Sequence, residues 1–213
     1  SASTADVVGF LDDDAALADG AGDRIREAFA ADERLGAVAL RLVDEHGKTA
    51  RRHVPRLGAA RADEGGDVAL FLGGACAIRR AAYDDAGGYS TDLFYGHEEL
   101  ELSWRLIDRA WGIRYLADVR VFHPSSEIER HADGWRMTGR NRVMVARRTL
   151  PWAIAVVHMV VWLLAGLVRA PSAEHRRAYL AGWRDGWRHD VDRRPISWRT
   201  VWRLTRLGRP PIV

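Results

Sequence analysis

Residues 150–168 are apolar almost without interruption, broken only by His158 and small side chains. A stretch of this kind must bury itself in protein or in lipid, and it approaches the roughly 20 residues that span a bilayer. Arginines flank both ends: Arg147 and Arg148 stand before it, and 11 more follow from Arg169 to Arg209 against Glu174, Asp185, Asp190 and Asp192. A single crossing would carry one basic end to the outer side, against the tendency of arginine to stay on the cytoplasmic side. An interfacial or re-entrant helix satisfies both ends, and Trp152, Trp162, Trp183, Trp187, Trp198 and Trp202 suit a head-group layer. Surface association is therefore expected over spanning, with a helix packed on the folded domain as the alternative.

Charge follows the same division. The formal net charge is +3, yet the segment from Arg147 to Arg209 carries 13 arginines against four acids, which leaves about +9 there and about −6 on the rest. An acidic body with a basic, tryptophan-rich tail points to an anionic partner for the tail, either phospholipid or nucleic acid. The apolar run favours an anionic membrane surface, and no nucleic acid is expected, although arginine interleaved with tryptophan can also stack on bases. Cys76 is the only cysteine, so no intrachain disulfide forms and a reducing compartment is the simplest setting. Ser1 to Asp6 has no signal-peptide pattern.

The first part of the chain alternates strand and helix signals, the pattern of an α/β fold. Val7 to Leu11 reads as a buried strand ending at Asp12-Asp13-Asp14. Asp19 to Ala31 reads as a helix, Gly36 to Val43 as a second strand and Glu45 to Lys48 as a turn. Val68 to Leu72 is a third apolar run, followed by Gly73-Gly74 and Ala75 to Ile78. Glu98 to Ala110 reads as a helix with Leu102, Leu106 and Ala110 on one face, and with Glu101, Arg105 and Asp108 able to pair on another. Two short strands, Ile113 to Leu116 and Val119 to Phe122, lead to His123-Pro124, and Trp135 to Arg148 is a basic helical stretch. Residues 1–130 are thus expected to form an α/β catalytic portion, and residues 131–213 a helical, basic tail.

Carboxylates at the end of a strand are ligands for a hard divalent cation, the partner a diphosphate needs as negative charge grows on it. Asp12 and Asp14 alternate, so in an extended segment both side chains lie on one side, with Asp13 pointing elsewhere. The plain alternative is a polar loop that caps the next helix. Likewise, Glu98, Glu99 and Glu101 could do no more than favour the positive end of their helix, an effect of roughly 0.3–1 kcal/mol each.

Four ordered motifs weigh against those plain alternatives. Phe71-Leu72-Gly73-Gly74-Ala75-Cys76-Ala77-Ile78-Arg79-Arg80 comes first and Ala86-Gly87-Gly88-Tyr89 second. Phe94-Tyr95-Gly96-His97-Glu98-Glu99-Leu100-Glu101-Leu102-Ser103-Trp104-Arg105 follows, and Val121-Phe122-His123-Pro124 closes the series. In order and spacing the segment from Val7 to His123 resembles the inverting family 2 glycosyltransferases of the GT-A fold. The resemblance implies a partial GT-A, Rossmann-like nucleotide-diphospho-sugar transferase domain, without the family's opening strands and base pocket before Val7.

It also implies a set of roles. Asp12, Asp14 and His123 would hold a divalent metal, Mn2+ or Mg2+, and the imidazole suits a manganese-like ion better. Asp12, Asp13, Gly73 and Gly74 fall on the donor side, while Gly88, Tyr89 and Glu98 fall on the acceptor side. Glu99 stands where the family usually places an aspartate that takes the acceptor's proton, a departure by one methylene. The segment from Arg193 to Pro211 looks like the endings of actinobacterial members, and the bias of 31 arginines to one lysine agrees with a high-GC source.

The expected partners are a nucleotide-sugar donor and a cell-envelope glycan or lipid-linked acceptor, at the cytoplasmic face of the plasma membrane. The competing reading is a non-catalytic, membrane-associated scaffold derived from such an enzyme.

Overall fold

The computed structural model describes residues 4–57, 61–94, 96–124 and 132–212. The chain opens with β1 (Val7–Leu11), β2 (Ala16–Leu17), α1 (Ala21–Ala31) and β3 (Leu35–Val43). After a short 3-10 turn at Arg51–His53 come β4 (Gly66–Asp67), β5 (Ala75–Arg79), α2 (Arg80–Asp85), α3 (Glu98–Asp108) and β6 (Gly112–Phe122). Four helices complete it: α4 (Ala132–Thr149), α5 (Trp152–Arg169), α6 (Ala173–Arg188) and α7 (Trp198–Arg206).

The sheet runs β1-β5-β3-β6-β2, and β4 pairs beside β6. Only β3 and β6 are parallel; β1 with β5, β5 with β3 and β2 with β6 are antiparallel. The ends of β1, β3 and β6 and the beginning of β5 therefore lie together at one end of the sheet.

Side chains alternate across the central strands, as a two-sided sheet requires. Val38, Leu40, Ala77, Leu116 and Val121 pack with Ile25, Ala28 and Phe29 of α1 on one face. Ala37, Ala39, Cys76, Ile78, Ile113 and Tyr115 face the other way. That second face meets Leu102 and Leu106 of α3, and the same hydrophobic cluster continues through Val143 and Met144 of α4, Tyr179 of α6 and Leu204 of α7. Each such aliphatic or aromatic side chain contributes roughly 1.5–3 kcal/mol on burial.

Four local expectations change. The strand Val7–Leu11 has the expected bounds but is a half-exposed edge, because among the described residues only β5 pairs with it. Val68 to Phe71 is buried and Leu72 half-buried, yet the run forms no ladder; just before it Gly66–Asp67 joins β6, and the Val68 N–H then donates to the Ile113 carbonyl. The two runs at 113–116 and 119–122 are one strand, with a register shift where Leu40 faces Leu116 but Arg41 faces Arg120. The polar break read as a gap is thus an irregularity inside β6. Asp108 does not pair with Arg105; it accepts from the Ser197 N–H (2.8 Å) and the Thr200 hydroxyl (2.7 Å), which fixes the start of α7.

The apolar run becomes α5, which packs on the domain by one face only. Ala155, His158, Met159 and Gly166 are buried, and His158 Nδ1 donates to the Pro211 carbonyl at 2.7 Å. Val156, Val157, Val160, Leu164 and Val168 remain exposed on the other face. Of the six tryptophans from Trp152 to Trp202, Trp183 is buried and Trp162 half-buried, while Trp152, Trp187, Trp198 and Trp202 are exposed. Helices α4 and α6 approach so closely that a side chain at Gly182 would strike the Arg136 carbonyl of α4.

Candidate active site at the carboxyl end of the sheet

Asp12, Asp14 and His123 converge where β1 and β6 end. The three residues offer ligand atoms that all lie within 4.8 Å of one another. His123 Nε2 stands 3.4 Å from Asp12 Oδ2 and 3.3 Å from Asp14 Oδ1. The aspartates meet by a different route from the extended one expected: the Ala15 N–H donates to the Asp12 carbonyl at 3.1 Å, so Asp12 to Ala15 is a tight turn. His123 is placed by its own N–H, which donates to the Val43 carbonyl of β3 at 2.9 Å.

The donor set fits a divalent cation. His123 Nδ1 faces the Pro124 carbonyl at 2.9 Å, and a carbonyl only accepts, so that nitrogen carries the proton. Nε2 then faces the two carboxylates, where an imidazolium would pair with them and a neutral ring would give its lone pair to a cation held between them. Two oxygens and one imidazole nitrogen suit manganese or a similar ion. Gly74 is part of this corner: its carbonyl accepts from the Asp12 N–H at 3.2 Å, and a Cβ there would overlap the Asp12 carboxylate. Gly73 has open space at its Cβ position, and Asp13 is exposed.

Glu99 lies in the first turn of α3, behind two left-handed residues, Gly96 (φ 95°) and His97 (φ 77°). A histidine in that region carries strain on the order of 1–2 kcal/mol. Asn141 of α4 secures the approach by donating to the Phe94 and Gly96 carbonyls at 2.8 and 2.9 Å. Tyr95, part of the same motif, lies outside the described residues. Burial raises the Glu99 carboxyl to about 7, with the adjacent Glu98 carboxylate adding to the effect and nearby backbone N–H groups and Arg142 opposing it.

The other acids of this helix divide by environment. Glu98 is half-buried, with one carboxylate oxygen lacking a partner. Glu101 is fully buried and structural: Arg148 reaches it at 3.2 Å, Arg105 at 3.5 Å, and Ser90 donates to it.

Tyr89 packs edge-on against Phe10 and Tyr83 at 5.6 and 5.7 Å between ring centroids, and its N–H donates to the Tyr83 hydroxyl. Gly88 (φ 65°) leaves room for the Tyr83 ring. Burial holds both the Tyr89 phenol and the Cys76 thiol well above their ordinary range, and Glu99 acts on both groups, with Asp12 also acting on Cys76. Cys76 thus lies within electrostatic range of both acidic elements. His53, unremarked in the sequence, approaches His123 with ring centroids 6.5 Å apart.

With this geometry in place, the chain can be set beside solved structures. It is similar to "GalNAc-T7 with UDP, GalNAc and Mn2+", with a TM-score of 0.55 and 15% identity over 83% of this chain and 38% of that one. The chain has the GT-A glycosyltransferase fold.

A mannosyltransferase from Pyrobaculum calidifontis, PcManGT in complex with GDP-Man and Mn2+, is similar at a TM-score of 0.46 and 18% identity, over 97% of this chain and 49% of that one. A197 from STIV is similar at 0.42 and 16%, over 57% and 59%. No family model and no curated protein matches the sequence. On the GT-A framework the Asp12–Asp14–His123 corner sits at the carboxyl ends of strands, where open α/β sheets receive ligands.

Proposed function

We propose that this chain transfers a sugar from a nucleotide-sugar donor to an acceptor hydroxyl with inversion. The observation that carries the reading is the convergence of Asp12, Asp14 and His123 on the GT-A sheet, with half-buried Glu99 poised near neutrality at the start of α3. Asp12, Asp14 and His123 would hold Mn2+ or Mg2+, which when bound neutralises charge on the departing diphosphate. Asp13 and the Gly73-Gly74 backbone border the donor, while Gly88, Tyr89 and Glu98 border the acceptor. Glu99 takes the proton of the acceptor hydroxyl as its oxygen bonds to the anomeric carbon and the bond to the diphosphate breaks. The proton ends on Glu99, and the electron pair leaves with the nucleoside diphosphate.

The exposed apolar face of α5 and the exposed tryptophans around it favour a site of work on an anionic membrane surface, at the cytoplasmic face of the plasma membrane. A cell-envelope glycan or a lipid-linked acceptor fits that setting. The test is Mn2+-dependent release of nucleoside diphosphate from a panel of nucleotide sugars, with lipid extract as acceptor. Turnover that Asp14→Ala abolishes supports the reading; release unchanged in that variant refutes it.

A further inference from the structure

A cavity next to Glu99 holds more positive charge than the proposed transfer step uses. Its volume is about 470 Å3, and Arg142, Arg169, Arg209, Trp135, Trp162 and Tyr179 contribute to its walls. Among the described residues Glu99 is the only carboxylate lining it, and none of Asp12, Asp14 and His123 reaches it. Among the described residues, no carboxylate forms an ion pair with any of the three arginines, and the Nε atoms of Arg142 and Arg209 are buried without a hydrogen-bond partner.

Trp162 orders two of these cations: the Arg142 guanidinium stacks over its ring at 3.7 Å and that of Arg169 at 5.6 Å. Burial pulls Arg142 down to about 9, with Arg209 and Arg169 acting in the same direction and Tyr179 and Glu99 opposing them. Gathering Arg142 and Arg209, each with a buried idle donor, beside the exposed Arg169 is unfavourable until an anion completes the group. Arginine forks match the oxygens of a phosphoryl group closely. Trp162 and Gly166, which line the cavity, belong to α5, the helix whose opposite face exposes Val160, Leu164 and Val168.

We propose that this cavity binds a phosphoryl group that an apolar chain carries on the acceptor, with Arg142, Arg169 and Arg209 holding the phosphate and the chain leaving along α5. The inference names an acceptor class and in that respect rests on the transfer reading. Binding of the phosphate itself needs neither metal nor donor.

The experiment is calorimetric titration of the full chain, without metal or nucleotide sugar, using octyl phosphate, octanol and inorganic phosphate. Octyl phosphate binds one-to-one and at least tenfold tighter than inorganic phosphate, and octanol gives no saturable heat. Arg142→Gln weakens octyl phosphate at least tenfold, and Arg142→Lys restores part of the loss. Should Arg142→Gln fail to fold, Arg169→Gln and Arg209→Gln carry the same expectation. Equal binding of octanol, or unchanged binding in the glutamine variants, overturns the site. Equal binding of inorganic phosphate assigns the cavity to a free anion and overturns the acceptor class. If the transfer reading alone fails, this binding persists in a chain that transfers no sugar; if the cavity alone fails, Mn2+ binding that depends on Asp14 persists.

Discussion

The acidic corner at the end of the sheet and the arginine-lined cavity beside α3 hold opposite charges and are built in opposite ways. The corner comes from three loop residues next to strand ends: the two aspartates are exposed, and they meet because β1 and β6 finish at the same end of one sheet. The cavity comes from side chains on separate helices and the chain end after α7, and it depends on how α4, α5 and α6 pack. Glu99 lines the cavity and also acts electrostatically on Cys76, as Asp12 of the corner does. The difference teaches that the acidic corner follows from where two strands end, whereas the arginine-lined cavity requires the helices of the tail to fold against one another.

The sharpest way to break this comparison is at Glu99. Glu99→Gln is expected to lower the transfer rate 10²- to 10⁴-fold while donor binding stays within twofold; a normal rate would remove Glu99 as the base. In the intact protein, activity should rise with pH through about 7, where the carboxyl loses its proton. The groups acting on it are Glu98, Arg142 and nearby backbone N–H groups, and Glu99 in turn acts on Tyr89, Cys76 and Arg209.

The same shift has a sign in stability. The folded carboxyl binds its proton more tightly than the unfolded one, whose ordinary value is 4.5, so stability falls as pH rises from about 4.5 to 7. Glu99→Gln removes that cost and is expected to stabilise the fold by about 3 kcal/mol at pH 8, with little change at pH 4. Thermal melts at the two pH values check it, and equal effects at both would contradict it.

A smaller effect belongs to the corner. Gly74→Ala pushes a methyl into the space of the Asp12 carboxylate and should weaken Mn2+ binding about tenfold while leaving octyl phosphate binding unchanged. Loss of both would show that the two regions are not independent. The smallest effect is on the outer face of α5: Leu164→Asp should reduce binding to vesicles of anionic phospholipid several-fold without altering Mn2+ affinity, as read by vesicle sedimentation.

Much of the fold was legible because its signals are local. The bounds of β1 and the ranges of α1, β3, β5 and α3 follow from apolar periodicity and from aspartate, glycine or histidine at the ends. The grouping of Asp12, Gly74 and His123 came instead from the resemblance to the family 2 glycosyltransferases, and each of the three sits beside a strand terminus. What escaped depends on distant partners. Glu101 looked like one more acid on a helix end, yet Arg148, 47 residues away, makes it part of the core. Val68 to Leu72 had a strand's composition, but its place is filled by packing and by contacts such as the Phe71 N–H to the Ser103 hydroxyl at 3.4 Å, not by a ladder. Arg142, Arg169 and Trp162 were visible only as a basic, tryptophan-rich stretch read as meeting a membrane. Their convergence on one cavity rests on the crossing of α4, α5 and α6, which periodicity does not encode.

The most direct test of the proposed metal centre is a Mn2+ titration followed by the amide NMR spectrum of the full chain. Selective paramagnetic broadening of the signals around Asp12, Asp14 and His123 at sub-stoichiometric metal, abolished by Asp14→Ala, is the predicted result. Uniform weak broadening, or the same selective pattern in Asp14→Ala, would contradict a metal centre at this corner.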